Sequence, residues 1–89
     1  MNTLPVRFTH PHAELPTRAH PTDAGLDLAA SETTQVAPRV VTLVPTGIAV
    51  AIPEGHVGLL AARSSLATKK AMTLANGVGI IDSDYRGEI

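Results

Sequence analysis

Cysteine is absent from the 89 residues. Disulfides and thiolate metal sites are therefore excluded, and a reducing compartment is permitted. Tryptophan is absent too, and Phe8 and Tyr85 are the only aromatic residues. The core must then be aliphatic, and ring platforms for stacking single-stranded nucleic acid are lacking. There is no excess of charge of either sign beyond a formal net −1, so no global field draws the chain to nucleic acid or to a membrane surface. No apolar run reaches spanning length, and the N-terminus has neither the basic start nor the apolar centre of a signal peptide. The expectation is a soluble, cytoplasmic chain forming one domain over residues 1–89, with a modest core and no nucleic-acid or membrane partner.

Glycine and proline are well represented, 7 of each, beside many Val and Thr and few good helical windows. That composition reads as mostly β. Leu4–Phe8 alternates loosely and predicts a first strand, with Pro5 favouring an edge. The stretch Thr9–Thr22 carries Pro11, Pro16 and Pro21 with His10, His12 and His20. Each proline fixes φ and removes a donor, so the stretch reads as an irregular connection. The histidine spacing fits no common zinc pattern, and solvated loop histidines are the reading. His56, in a Pro-Glu-Gly-His turn, reads the same way. In Asp23–Ala30, alternation puts Leu26 and Leu28 on one face and Asp27 on the other. On residue types alone Asp27 is a solvent-facing acid of a half-buried strand.

Thr34–Ala37, Val40–Val44, Gly47–Ile52 and Val57–Ala62 predict short strands. They are divided by the turn sequences Ala-Pro-Arg, Pro-Thr-Gly and Pro-Glu-Gly-His. Such regular spacing suggests a sandwich, jelly roll or small barrel. Arg63-Ser64-Ser65 interrupts the pattern. Either serine suits a helix cap, and Leu66–Met72 has the best helical propensity in the chain. A helix start beside an Arg that grips two phosphate oxygens makes an anion site; the alternative is a capped surface helix, with Lys69 and Lys70 a charged outer face. Thr73–Ala75 returns to strand.

The stretch Asn76–Glu88 is the densest in the chain. Val78, Ile80 and Ile81 supply an apolar arm between Gly77, Gly79 and Gly87. Asp82, Asp84, Arg86 and Glu88 then surround the only tyrosine. Two readings stand level on residue types: a solvated hairpin tip, or a pocket that holds a flat ligand by backbone groups and offers it one carboxylate. Gly87-Glu88-Ile89 resembles the start of a returning strand, and the expectation is a domain incomplete at its C-terminus.

Three blocks stand in order: Ala24-Gly25-Leu26-Asp27-Leu28, Arg63-Ser64-Ser65-Leu66-Ala67, and Asn76 through Glu88. Together they resemble the first three of five motifs of the trimeric dUTPases (dUTP diphosphatases). The resemblance covers nearly all of the chain and stops before the fourth motif and the glycine-rich fifth. It implies an all-β, jelly-roll-like sandwich or barrel with one short helix after Arg63-Ser64-Ser65, assembled as a homotrimer with sites shared between subunits. It implies hydrolysis of dUTP to dUMP and diphosphate, which limits uracil in DNA and supplies dUMP for dTMP synthesis. Asp82 matches the carboxylate that orients and deprotonates water. Tyr85 matches the ring under the deoxyribose. Asn76, Gly79, Ile80, Ile81 and Asp82 match the uracil-binding segment, and Arg63, Ser64 and Ser65 the phosphate-binding one. Asp27 matches the acid that holds waters around triphosphate-bound Mg²⁺. Ser65 stands where many members have Gly, a change expected to tune the phosphate site. Asp84 is the rival base, since an extended chain puts it on the same face as Asp82, and the resemblance favours Asp82. Two other readings remain: a catalytically impaired nucleotide-binding or assembly subunit, and a relative of dCTP deaminase, whose likeness to Asp-Ser-Asp-Tyr-Arg-Gly is weaker.

Overall fold

The computed structural model describes residues 3–89. Met1 and Asn2, included in the domain expected over 1–89, lie outside the described residues. The chain divides into two compact units, one running through Val50 and taking in Arg86–Ile89, the other Ala51–Tyr85.

The first unit is built around β2 (Ile48–Val50), which pairs antiparallel with β1 (Val6–Phe8) in the register Val6↔Val50, Arg7↔Ala49 and Phe8↔Ile48. Glu88 forms an antiparallel bridge with Ala49, and the Ile89 N–H donates to the Ile48 carbonyl at 3.0 Å. Every residue of β2 is buried, and Ile48 retains 1% of its exposure. A strand covered on both faces reads as an unbroken apolar run rather than an alternation, which Ile-Ala-Val is. Full burial of a side chain such as Ile48 contributes about 1.5–3 kcal/mol. The one buried polar side chain among the described residues is Ser31. Its N–H and its hydroxyl both donate to the Pro45 carbonyl, at 2.8 and 3.2 Å, which offsets the cost of desolvating them.

The second unit contains β3 (Gly58–Leu60), α1 (Ser64–Lys70) and β4 (Gly79–Ile81), with β3 and β4 antiparallel in the register Gly58↔Ile81, Leu59↔Ile80 and Leu60↔Gly79. On one face of this ribbon each glycine opposes a branched aliphatic. A Cβ on Gly58 would stand 2.9 Å from the Ile81 Cβ, and one on Gly79 would stand 3.1 Å from the Leu60 Cβ. The large side chains fill the space that the missing ones leave. The other face carries Leu59 and Ile80 directly opposite each other, 67% and 62% exposed.

Several elements differ from expectation. Leu4–Phe8, Gly47–Ile52 and Val57–Ala62 contract to three-residue strands. Thr34–Ala37, Val40–Val44 and Thr73–Ala75 form no strand. β-propensity describes a residue that suits a pleated surface, and a strand also needs a neighbour at ladder distance. The Ala-Pro-Arg turn is present: the Val40 N–H donates to the Ala37 carbonyl at 3.4 Å, with Arg39 at φ 65°. Leu26 is exposed and Leu28 half-buried, so the alternation around Asp27 is only partly realised.

Candidate functional site

β4 delivers the Asn76–Glu88 stretch. Ahead of it the chain makes two tight turns: the Gly77 N–H donates to the Leu74 carbonyl at 3.0 Å, and the Val78 N–H to that of Asn76 at 2.9 Å. Gly77 adopts φ 77°, a conformation that side-chain-bearing residues avoid. After β4 the Tyr85 N–H donates to the Asp82 carbonyl at 3.1 Å, closing a four-residue turn over Asp82–Tyr85. Asp82 and Asp84 are exposed, Ser83 is half-buried, and the Tyr85 ring keeps 46% of its exposure. Acid and phenol thus stand at the two ends of one turn, and both meet solvent.

The phosphate-type segment sits at the start of α1. Arg63 has extended dihedrals, φ −67° and ψ 144°, and is itself the N-cap, without a side-chain capping bond. Ser64 and Ser65 are the first two helical residues, so the expected serine cap is corrected. Helix formation begins one residue earlier because the Leu66 N–H finds the Arg63 carbonyl at 3.0 Å. Met72 falls outside the helix, which ends at Ala71 in the left-handed conformation, φ 53° and ψ 38°. The Thr68 hydroxyl donates back to the Ser64 carbonyl at 3.1 Å. Arg63 and Ser64 are exposed and Ser65 is half-buried.

The register of the ribbon separates these groups. Leu60 pairs with Gly79, so the chain that leads to Arg63 departs from the end at which Asn76 enters. Asp82 follows Ile81, which pairs with Gly58 at the other end. Arg63 and Asp82 therefore leave the ribbon from opposite ends, with roughly 10 Å of strand between them.

Asp27 belongs to the first unit. It is exposed, and its N–H donates to the Thr17 carbonyl at 2.8 Å in an isolated bridge. Among the described residues no group of three or more His, Cys, Asp or Glu is placed to hold a metal ion. Sequence reasoning missed the partnership of Thr9 with Glu88, whose hydroxyl and Oε1 lie 2.7 Å apart across 79 positions. No local signal spans that separation.

A family model described as dUTPase matches residues 11–89. The chain belongs to the dUTPase family. Its relatives include the deoxyuridine 5'-triphosphate nucleotidohydrolase of Corynebacterium jeikeium, 51% identical over 99% of this chain and 58% of that protein. The Mycobacterium tuberculosis protein of the same name is 48% identical over 98% of this chain and 56% of its own length. Among solved structures, a mutant dUTPase of Staphylococcus bacteriophage 80alpha, bound to dUpNHpp, superimposes with a TM-score of 0.90 at 38% identity, over 100% of this chain and 56% of that one. A mutant dUTPase from phage phi11 of S. aureus, described for the coordination of a structural Mg(II) ion, gives 0.86 at 41% identity, over 99% and 56%. The fold is thus the all-β, jelly-roll type of the family, with one short helix. The chain spans about half the length of the relatives it matches.

Proposed function

We propose that this chain carries a dUTP-hydrolysing site of the dUTPase family, converting dUTP to dUMP and diphosphate. The observation that carries the reading is the turn after β4, which presents an exposed Asp82 and an exposed Tyr85 at its two ends. Asp82 orients a water and takes its proton as the water attacks the α-phosphate. The water oxygen bonds to the α-phosphorus, its proton passes to the carboxylate, and the bond from the α-phosphorus to the bridging oxygen breaks, so that diphosphate leaves with that oxygen. Tyr85 packs under the deoxyribose and leaves no room for a 2′-hydroxyl. Asn76 and the backbone of Gly79, Ile80, Ile81 and Asp82 meet the uracil. Arg63, Ser64 and Ser65 bind phosphate oxygens. Phosphoanhydride hydrolysis demands positioning and charge neutralisation more than covalent catalysis, so one base, one cation and directional donors are an adequate set.

A hydrated Mg²⁺ carried by the triphosphate asks the protein for a single acid acting through water. Asp27, exposed at its bridge, suits that role. Bound there, the ion supplies charge neutralisation.

The departure of Arg63 and Asp82 from opposite ends of the ribbon supports sites completed between subunits of a homotrimer. Diphosphate release from dUTP, against ammonia release from dCTP, tests the reaction. With dUTP, Asp82→Asn abolishes turnover and Asp84→Asn retains it; the reverse pattern overturns the assignment of the base. Calorimetry with a non-hydrolysable dUTP analogue, beside the activity assay, separates binding of the nucleotide from its turnover.

A further inference from the structure

Thr9, outside the proposed site, is held by both its main chain and its side chain. Its N–H donates to the Gly47 carbonyl at 2.7 Å, and its hydroxyl donates to Glu88 Oε1 at 2.7 Å. Gly47 is itself tightly constrained. It adopts φ 71°, and a Cβ there would stand 2.8 Å from the Cβ atoms of both Ala13 and His10. Thr9 is thus fixed by its backbone before its side chain reaches Glu88. Glu88 in turn bridges Ala49 of β2. The same short segment is held by Ile89 N–H to the Ile48 carbonyl at 3.0 Å and by the Thr46 hydroxyl to the Ile89 carbonyl at 2.6 Å. The Arg7 guanidinium donates to the Arg86 carbonyl at 3.4 Å. Those contacts end on main-chain carbonyls, which any sequence presents. The Thr9–Glu88 contact depends on a side chain at both ends, and its acceptor is a carboxylate, which makes the stronger kind of hydrogen bond.

We propose that Thr9 is a positioning residue for the nucleotide site: by holding Glu88 in register on β2 it fixes the chain immediately after Tyr85, and so restricts the backbone that carries the ring. The inference rests on the reading of Tyr85 as the ring beneath the sugar. Tyr85 is joined directly to Arg86, the first residue of the held segment. A ring whose backbone is already restrained loses less freedom when ligand packs on it, so the hydroxyl acts on affinity rather than on the chemical step.

The test compares Thr9→Val, which keeps the shape and removes the donor, with Thr9→Ser, which keeps the donor. Glu88→Ala removes the acceptor from the other side. Affinity for a non-hydrolysable imido analogue of dUTP is measured by calorimetry, and exchange of the Ile89 amide by NMR. Thr9→Val and Glu88→Ala are each expected to weaken binding about three- to tenfold, the size of one ordinary net hydrogen bond. The Ile89 amide exchanges faster in both. Thr9→Ser restores both readouts, and the double variant Thr9→Val with Glu88→Ala is no weaker than either alone. Faster exchange with unchanged affinity marks a merely structural contact and overturns the inference. Failure of the unmodified protein to bind the analogue overturns the nucleotide reading, and this inference with it. Tight binding indifferent to Thr9→Val overturns this inference alone.

Discussion

At the residue scale the backbone decides more than the side chains do around β4. Gly77 holds φ 77°, and a Cβ there would meet nothing within 4 Å. Gly77→Ala therefore tests conformation without a steric clash. It is expected to cost about 1–2 kcal/mol, the penalty of an L-residue in the left-handed region, read as a lower denaturation midpoint at unchanged slope. An unchanged midpoint would place the constraint elsewhere in the Leu74–Val78 turns. Gly79 is different in kind: its φ is not positive, and close approach to Leu60 is what excludes a side chain. Tyr85 offers a separate measurement. It is the only tyrosine in a chain without tryptophan, so intrinsic emission reports on this ring alone. Addition of the dUTP analogue is expected to change that emission with a saturable midpoint that Asp82→Asn leaves in place, since Asp82 acts on water and Tyr85 on the sugar. Emission unaltered at ligand concentrations that saturate calorimetry would remove Tyr85 from the site.

At the element scale the helix α1 offers the cleanest prediction. It ends with Ala71 at φ 53°, a position that glycine occupies without strain. Ala71→Gly is expected to stabilise the chain by about 0.5–1 kcal/mol, the relief of left-handed strain less the added freedom of the unfolded chain. A fall in thermal midpoint would show that the Ala71 methyl makes a contact worth more than that strain. The same element illustrates what the sequence made legible. That one short helix follows Arg63 was legible from Leu66–Met72 being a lone helical window among β-formers, whereas its bounds, Ser64–Lys70, and the identity of its cap were not, because they turned on which residue kept extended dihedrals. The strands follow the same division. Val, Ile and Thr content marked the runs around β1, β2 and β3, but their pairing joins Phe8 to Ile48 across forty positions, and no local pattern encodes a partner so far away. Val40–Val44 has the composition of a strand and, with no neighbour in register among the described residues, is not one. In the candidate site, glycines, acids and one aromatic packed into thirteen positions were visible in one dimension. The 2.7 Å contact between Thr9 and Glu88 was not.

At the scale of the whole molecule, the balance between buried and exposed apolar surface is unusual. The buried apolar residues among those described are Ile48, Ala49, Val50 and Ile52, while Leu43 is 92% exposed and Leu59 and Ile80 form an uncovered pair. Isolated apolar residues on a surface need no explanation, whereas large contiguous apolar patches are where proteins meet partners. Homotrimer formation, proposed above, makes a sharper demand than a mass, because Arg63 and Asp82 leave the β3–β4 ribbon from opposite ends. If one subunit supplies the base and another the phosphate cation, Arg63→Ala and Asp82→Asn chains should each be inactive alone and regain activity when unfolded and refolded together. Each mixed trimer then contains one interface at which an intact Asp82 meets an intact Arg63, about a quarter of all sites if equal amounts of the chains combine at random around a closed ring. The same mixture should show a thermal midpoint that rises with protein concentration, as association coupled to folding requires. A chain that draws both groups from itself gives no recovery on mixing at any ratio. Recovery of activity would place the completed site at a subunit boundary, and its absence, with trimers present, would place it within one chain.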